Sequence, residues 1–319
     1  TVQSADMARS IAEAELNLAG YCVNAGTPCE SDADCAPYPQ DSCKTGLCAR
    51  SSAWVDFNDD GYLDLYVGNY RLDQNVMWQN DGAGGFSNTA PEHNLDGNEE
   101  QGDTYGHTLG VDWGDYDNDG DMDVYIANLA HGWGWFLGDD HDHSELRQSD
   151  GADAYHFEDV RPSSGMRQWS QAFDTDWSEF TPAWADYDND GDLDIYVTHG
   201  YVLQDFAYSS LYSNDGDGTF TETTQDHGAN LKLFKNYWAA WADYDNDGDV
   251  DLATCGSQSN ADSSPREAHL FRNDGANAHG WIQVRAVGQG AGGTNAAGIG
   301  VRMQALNAGV TQTKEVQGG

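Results

Sequence analysis

The sequence predicts an all-β fold: a β-propeller of four-stranded blades with acidic loops, plus a small disulfide-rich N-terminal insert and a C-terminal β segment. Three observations predict it. A nine-residue acidic motif recurs four times. A Trp stands two residues before each copy, at Trp54, Trp113, Trp184 and Trp241, at intervals of 59, 71 and 57 residues. Strand-like runs and Asn-Asp-Gly turns follow the copies. Self-similarity of this kind marks supersecondary repeats. Four-stranded units cannot bury both faces alone, and radial stacking in tandem solves that.

Residues 1–50 precede the repeats. Residues 4–19 read as a helix, with Ser4 as cap, Met7 and Ile11 one turn apart, and Gly20 at the end. We expect it to lie on the main body or to dock another subunit. Cys22, Cys29, Cys35, Cys43 and Cys48 come next with little apolar content between them, which reads as a disulfide-stapled insert. A zinc site would need close CxxC pairs, and these are missing. Residues 29–48 resemble the small four-cysteine modules of secreted bacterial proteins. That resemblance leaves Cys22 and Cys255, which we expect to pair.

Residues 51–278 hold the repeats. The motif copies are DFNDDGYLD at 56–64, DYDNDGDMD at 115–123, DYDNDGDLD at 186–194 and DYDNDGDVD at 243–251. In the pattern D-x-[DN]-x-D-G-x-x-D, alternate side chains converge on one hard cation and the Gly permits the sharp turn. The candidate ligands are Asp56, Asn58, Asp60, Tyr62 and Asp64 in loop one, and Asp115, Asp117, Asp119, Asp121 and Asp123 in loop two. Loop three offers Asp186, Asp188, Asp190, Asp192 and Asp194, and loop four Asp243, Asp245, Asp247, Asp249 and Asp251. The seventh position varies between Tyr62 and Asp, as expected if only its backbone carbonyl is used. Oxygen donors without His or Cys select a hard cation, and Mg2+ demands a tighter octahedron than such loops provide. About four structural Ca2+ ions are therefore expected. An EF-hand would carry an acidic twelfth position between helices. Here that position is Val67, Ile126, Val197 or Thr254, and the flanks read as strands.

After each loop comes a β-rich run: 65–67, 124–126, 195–197 and the weaker 252–254. A second signature, strand then Asn-Asp-Gly then aromatic restart, occupies 77–86 and 211–220 and begins again at 270–275. Asp-Gly between such runs signals a hairpin. Each repeat thus supplies about four strands. In repeat two the second half is obscured by an insertion containing Asp139, Asp140, His141, Asp142 and His143, a solvated segment or a second, transition-metal site. The repeated Trp residues, at a fixed offset from the loops, read as filler between blades.

These repeats resemble the FG-GAP/VCBS repeats of integrin-α-type propellers. In residues 279–319, the segments 281–285, 298–302 and 312–316 resemble the ASPIC/UnbV domain. The combination, over residues 51–319, is similar to cartilage acidic protein-like secreted proteins. The resemblance implies calcium loops on a propeller scaffold. Propellers of the family often have seven blades, whereas four repeats are clear here, and the ASPIC-like part stops after Gly319. The chain is then a fragment, or its ring is small or completed by other segments.

Composition bounds the function. The net charge is -40, from 54 acidic and 14 basic residues. That balance argues against nucleic acid and anionic membranes as partners. No run of 18 apolar residues supports a membrane span. A start at Thr1 leads us to expect that a leader has been removed. Clustered cysteines and calcium loops place the protein outside the cytoplasm, secreted or at the cell surface. No nucleophile elbow, phosphate-binding Gly loop or HExxH is present. The expected function is a non-catalytic binding, adhesion or scaffold module, with a protein, a surface glycan or further copies of itself as partner, including a filament. The alternative is an extracellular lyase or hydrolase acting on carbohydrate.

Overall fold

The computed structural model describes residues 20–22, 28–29, 43–44, 48–70, 73–97, 105–129, 143–151, 155–167, 178–200, 208–227, 231–259, 261, 264–275, 282, 284–288, 299–307 and 310–316. The helix expected over 4–19, the cysteine side chains of the insert, and Asp139, Asp140, His141 and Asp142 lie outside them. Three short strands, β1 (Gly20–Cys22), β2 (Pro28–Cys29) and β3 (Cys43–Lys44), form a sheet in the order β2-β1-β3. Cys255 is a free cysteine, against the expected link to Cys22.

Each repeat becomes an antiparallel sheet whose strands follow chain order. The first contains β4 (Cys48–Val55), β5 (Asp64–Tyr70), β6 (Val76–Asn80) and β7 (Phe86–Asn88). The second contains β8 (Thr108–Gly114), β9 (Asp123–Asn128), β10 (Glu145–Ser149) and β11 (Phe157–Asp159). The third contains β12 (Glu179–Ala185), β13 (Asp194–His199), β14 (Ser210–Asn214) and β15 (Phe220–Glu222). In the fourth, the described strands are β16 (Ala239–Ala242), β17 (Asp251–Gly256) and β18 (Glu267–Phe271). The C-terminal segment forms a hairpin of β19 (Arg302–Asn307) and β20 (Val310–Glu315).

The acidic loops therefore join the first and second strands of each of the four repeat sheets. Repeat two also has its second hairpin, β10–β11, turning at Asp150 and Gly151. Ser149 occupies the place of the Asn found in the other repeats, which hid this turn in the sequence.

The sheets stack face to face through their first strands, β4 on β8, β8 on β12 and β12 on β16. Alternation along the second strands feeds both faces. On β9, Val124 and Ile126 join the cluster with Tyr66 and Met77 of sheet one, while Tyr125 and Ala127 join the cluster with Ile195 and Tyr212 of sheet three. Strands β9 and β13 are buried along their whole length, as expected of middle layers.

Three of the four repeated Trp residues sit at these junctions. Trp113 meets Tyr66 edge-on, Trp184 meets Tyr125, and Trp241 meets Tyr196. Tyr116 and Tyr187, at the second position of loops two and three, stack on Trp184 and Trp241. The role as filler between repeats holds for these three Trp residues, whereas Trp54 packs against Leu65, Val76 and Trp78 of its own sheet. No ring closure by the sheets is found among the described residues, so a complete propeller goes beyond what the fold shows.

Gly110 on β8 marks the closest approach of two sheets. A side chain there would strike the carbonyl oxygen of Phe180 and Pro182 Cδ on the neighbouring sheet. A first-strand bulge lies nearby in each of the first three sheets, where pairing slips between Ala49 and Ser51, Thr108 and Gly110, and Glu179 and Pro182. Pro182, which lacks an N–H, is tolerated at such an irregularity.

Candidate metal centres

The loops share one backbone course. The sixth-position glycines, Gly61, Gly120, Gly191 and Gly248, have φ between 86° and 110°. The fourth position is also left-handed, with Asp59 at 53°, Asn118 at 59°, Asn189 at 57° and Asn246 at 62°. Asn and Asp tolerate this region better than other side chains, which accounts for the choice of residue there.

First-position carboxylates close each loop by accepting backbone N–H groups. Asp56 accepts from Asp60 and Gly61 at 3.0 Å each, Asp115 from Gly120 at 3.3 Å, Asp186 from Gly191 at 3.2 Å, and Asp243 from Asp247 and Gly248 at 3.2 Å. Ninth-position carboxylates tie the loop to the third strand. Asp64 accepts from Asn80 N at 2.7 Å, Asp123 from Ser149 N at 2.9 Å, Asp194 from Asn214 N at 2.9 Å and Asp251 from Asn273 N at 2.9 Å.

In three loops, positions one, three and nine converge. One carboxylate oxygen from each of Asp115, Asp117 and Asp123 lies within 4.8 Å of the other two, and likewise for Asp186, Asp188 and Asp194 and for Asp243, Asp245 and Asp251. The fifth position is used differently. Asp60, Asp119, Asp190 and Asp247 each cap the N–H of position seven, at 2.8 to 3.0 Å. Among the described residues loop one forms no such triad, because its third position is Asn58, whose amide bonds Asp60 at 3.0 Å.

The converging groups have the chemistry a cation requires. Asp64 Oδ2, Asp115 Oδ2 and Asp186 Oδ1 are shielded from solvent and accept no hydrogen bond. Buried oxygens without a donor are costly and call for an ion or water. Burial pushes the carboxyl of Asp64 up to about 7, those of Asp115 and Asp186 up to about 6 and that of Asp194 up to about 8, with neighbouring carboxylates adding to the shift. A raised folded-state value stabilises the fold at low pH, where the group is protonated, and the contribution is lost as pH rises through that value. The cation-free protein should therefore melt at a higher temperature at pH 5 than at pH 8. A cation-free melting curve that rises between those values would contradict this.

The seventh-position side chain has a further use, in binding the neighbouring loop. Asn118 Nδ2 of loop two donates to Asp192 of loop three at 2.6 Å, and Asn189 Nδ2 of loop three donates to Asp249 of loop four at 2.7 Å. Loops two, three and four form a ladder, loop two fastened to loop three and loop three to loop four. Tyr62, in the first loop, has no preceding loop to receive and is half exposed.

Asn214 reinforces the ladder. Its Nδ2 donates to Leu193 O at 3.1 Å and, across the junction, to Tyr116 O at 2.7 Å, while its Oδ1 accepts Gly216 N. Asn80, the counterpart in repeat one, donates to Leu63 O alone among the described contacts. Removing Asn214 strands two carbonyls, so Asn214→Ala should cost roughly 2–3 kcal/mol in urea unfolding, and Asn80→Ala about 1 kcal/mol less. Equal costs would show that the bond across the junction contributes nothing.

His199 is fully buried, with Nε2 3.5 Å from Glu179. Burial opposes ionisation of Glu179, but Arg161 at 2.8 Å, His199 and the Tyr125 hydroxyl at 2.6 Å outweigh it and hold the carboxyl far below its ordinary range. This buried network fastens sheet two to sheet three. His107 packs edge-on against Tyr70. Among the described residues no helix is long and apolar enough to cross a membrane.

Comparison with known proteins places these loops. A family model described as an FG-GAP-like repeat matches residues 56–126 and 201–254, which contain loops one, two and four. No curated protein matches the chain. Solved structures similar to it include an Agrocybe aegerita lectin that recognises non-reducing terminal N-acetylglucosamine, at 16% identity over 69% of this chain and 51% of the lectin, with a TM-score of 0.32. The exotype rhamnogalacturonan lyase YesX is similar at 16% identity over 67% of this chain and 39% of the lyase, TM-score 0.35. The V. cholerae biofilm matrix protein Bap1 is similar at 16% identity over 72% of this chain and 38% of Bap1, TM-score 0.33. The chain spans about half or less of the length of each. Sheets, loops and family match agree over residues 56–126 and 201–254, which are similar to FG-GAP-like repeats.

Proposed function

We propose that this chain is a secreted calcium-binding repeat protein of the β-propeller type, acting as a non-catalytic binding or scaffold module. The observation that carries the proposal is the convergence of three Asp triads at one end of the stacked sheets. Oxygen-only donors in an irregular loop suit Ca2+, and the space outside cells supplies it. The metal pins the turn between first and second strands and offsets carboxylate repulsion, with no part in chemistry.

Recognition is assigned to the opposite end, where the second-to-third-strand connections and the links between sheets emerge. There Trp238 is half exposed beside Tyr237, which meets Phe180 edge-on and lies under the Arg266 guanidinium. Aromatic faces with a cation suit a surface glycan or a protein partner. The hairpin β19–β20 is assigned to an ASPIC/UnbV-like segment. A glycan array in calcium, run beside a turnover assay on the same glycans, tests the reading. Binding that weakens in Trp238→Ala, without product formation, is expected. Release of products from any glycan would replace the proposal with an enzyme.

A further inference from the structure

The C-terminal hairpin reaches the loop face, and its grip on loop one follows a pattern. Arg302 and Glu315 are cross-strand partners on β19 and β20. Glu315 Oε2 accepts the backbone N–H of Asp56 at 3.2 Å, and Arg302 donates to the carbonyl of Asp56 at 2.5 Å. The pair thus holds both backbone groups of the residue that opens loop one. Arg302 also pairs with Asp59 at 3.1 Å.

Asp59 stands at the fourth position, where the later loops have Asn. In loops two and three that Asn donates to the seventh-position Asp of the next loop. Asp59 has no such amide, and its charge opposes that of Asp121, the seventh residue of loop two, while Arg302 offsets it. Loop one is also the loop with Asn58 in place of a third-position Asp, and it holds the fully buried Asp64 Oδ2 without a donor. Further along β20, Gln312 donates to Gly191 O of loop three at 2.8 Å, and Thr313 faces Asp115 of loop two.

We propose that Arg302 and Glu315 are positioning residues of the loop-one cation site, supplied by the C-terminal hairpin in place of the Asn amide that fastens the other loops. The inference rests on the calcium reading of the loops. Loop one lacks both the third carboxylate and the ladder bond, and the hairpin restores its geometry from outside the repeat. Cation binding at loop one and docking of the hairpin are then linked, each favouring the other by the same factor.

The test is calorimetric titration of calcium into the calcium-free full chain, with hydrogen exchange followed in parallel. Arg302→Ala and Glu315→Ala should each weaken one class of site by about tenfold or more, a coupling within the usual range, and leave the others within about twofold. Glu315→Gln, whose side-chain oxygen can still accept the Asp56 N–H, should recover most of the loss. Unchanged binding in both Ala variants, or equal loss at every site, would overturn the proposal. If the variants fail to fold, the wild-type chain decides. Amides of β19 and β20 should gain protection in the titration step that fills the weakest site, while those of β17 do not. Hairpin protection that is indifferent to calcium would overturn the proposal. Absence of any calcium heat in the wild type would instead refute the calcium reading itself.

Discussion

Removing calcium should lower the melting temperature by about 10 °C or more. A ligand held only by the folded state stabilises it by RT ln(1 + [L]/Kd), about 4 kcal/mol for one site at a thousandfold excess over Kd. For a chain of this size each kcal/mol moves the midpoint by about 2–4 °C, and the sites add. The structural reason lies in the triads. Three carboxylate oxygens within 4.8 Å of one another repel by roughly 3–4 kcal/mol per charged pair at an effective dielectric near 20. Without a cation the loops must protonate or open, and each loop fixes the register between the first two strands of its sheet. Differential scanning calorimetry at neutral pH, with and without chelator, checks this. A shift under about 2 °C would mean that the loops stand unaided.

Gly110→Val should destabilise the fold by about 3 kcal/mol or more, the upper range for overpacking. Elsewhere a large side chain can turn aside or its neighbours can yield. Here the obstacle is backbone, the Phe180 carbonyl, with Pro182 behind it, and both belong to β12, the first strand of the next sheet. The sheets would have to part along the β8–β12 junction. That would loosen the stack of Tyr116 on Trp184 and the bond from Trp184 N to Asp112 Oδ2 at 3.0 Å. Val287→Ser, at an exposed position, should stay within about 0.5 kcal/mol of the wild type. Urea denaturation of the two variants gives the comparison, and a cost for Gly110→Val below about 1 kcal/mol would contradict the tight junction.

Much of this architecture was legible because local chemistry repeats. The sixth-position Gly, the odd-numbered Asp residues and the Trp two places ahead act within one loop or between successive repeats, and periodicity exposes them. The hairpin in repeat two was hidden by the insertion before it and by Ser149 in place of Asn, which removed the turn signature while leaving the strands.

What remained invisible depends on contacts between distant segments. The bonds from Asn118 to Asp192 and from Asn189 to Asp249 join loops some 60 to 70 residues apart, and nothing in either loop alone announces them. The fourth-position Asn takes the left-handed backbone of the turn, and only stacking of the sheets reveals its second role. The grip of Arg302 and Glu315 on Asp56 spans still more chain. Its one sequence trace is Asp59, the fourth-position residue that departs from Asn. Buried Glu179 was missed for the same reason, since Arg161, His199 and Tyr125 come from three other segments.

The proposal that these loops are calcium sites is tested most directly by isothermal titration of Ca2+ into the calcium-free protein. Calcium binding in the loops predicts saturable heat with a stoichiometry near four, loop one being the weakest, and loss of one equivalent when Asp194 is replaced by Asn. No measurable heat, or a stoichiometry that Asp194→Asn leaves unchanged, would contradict it.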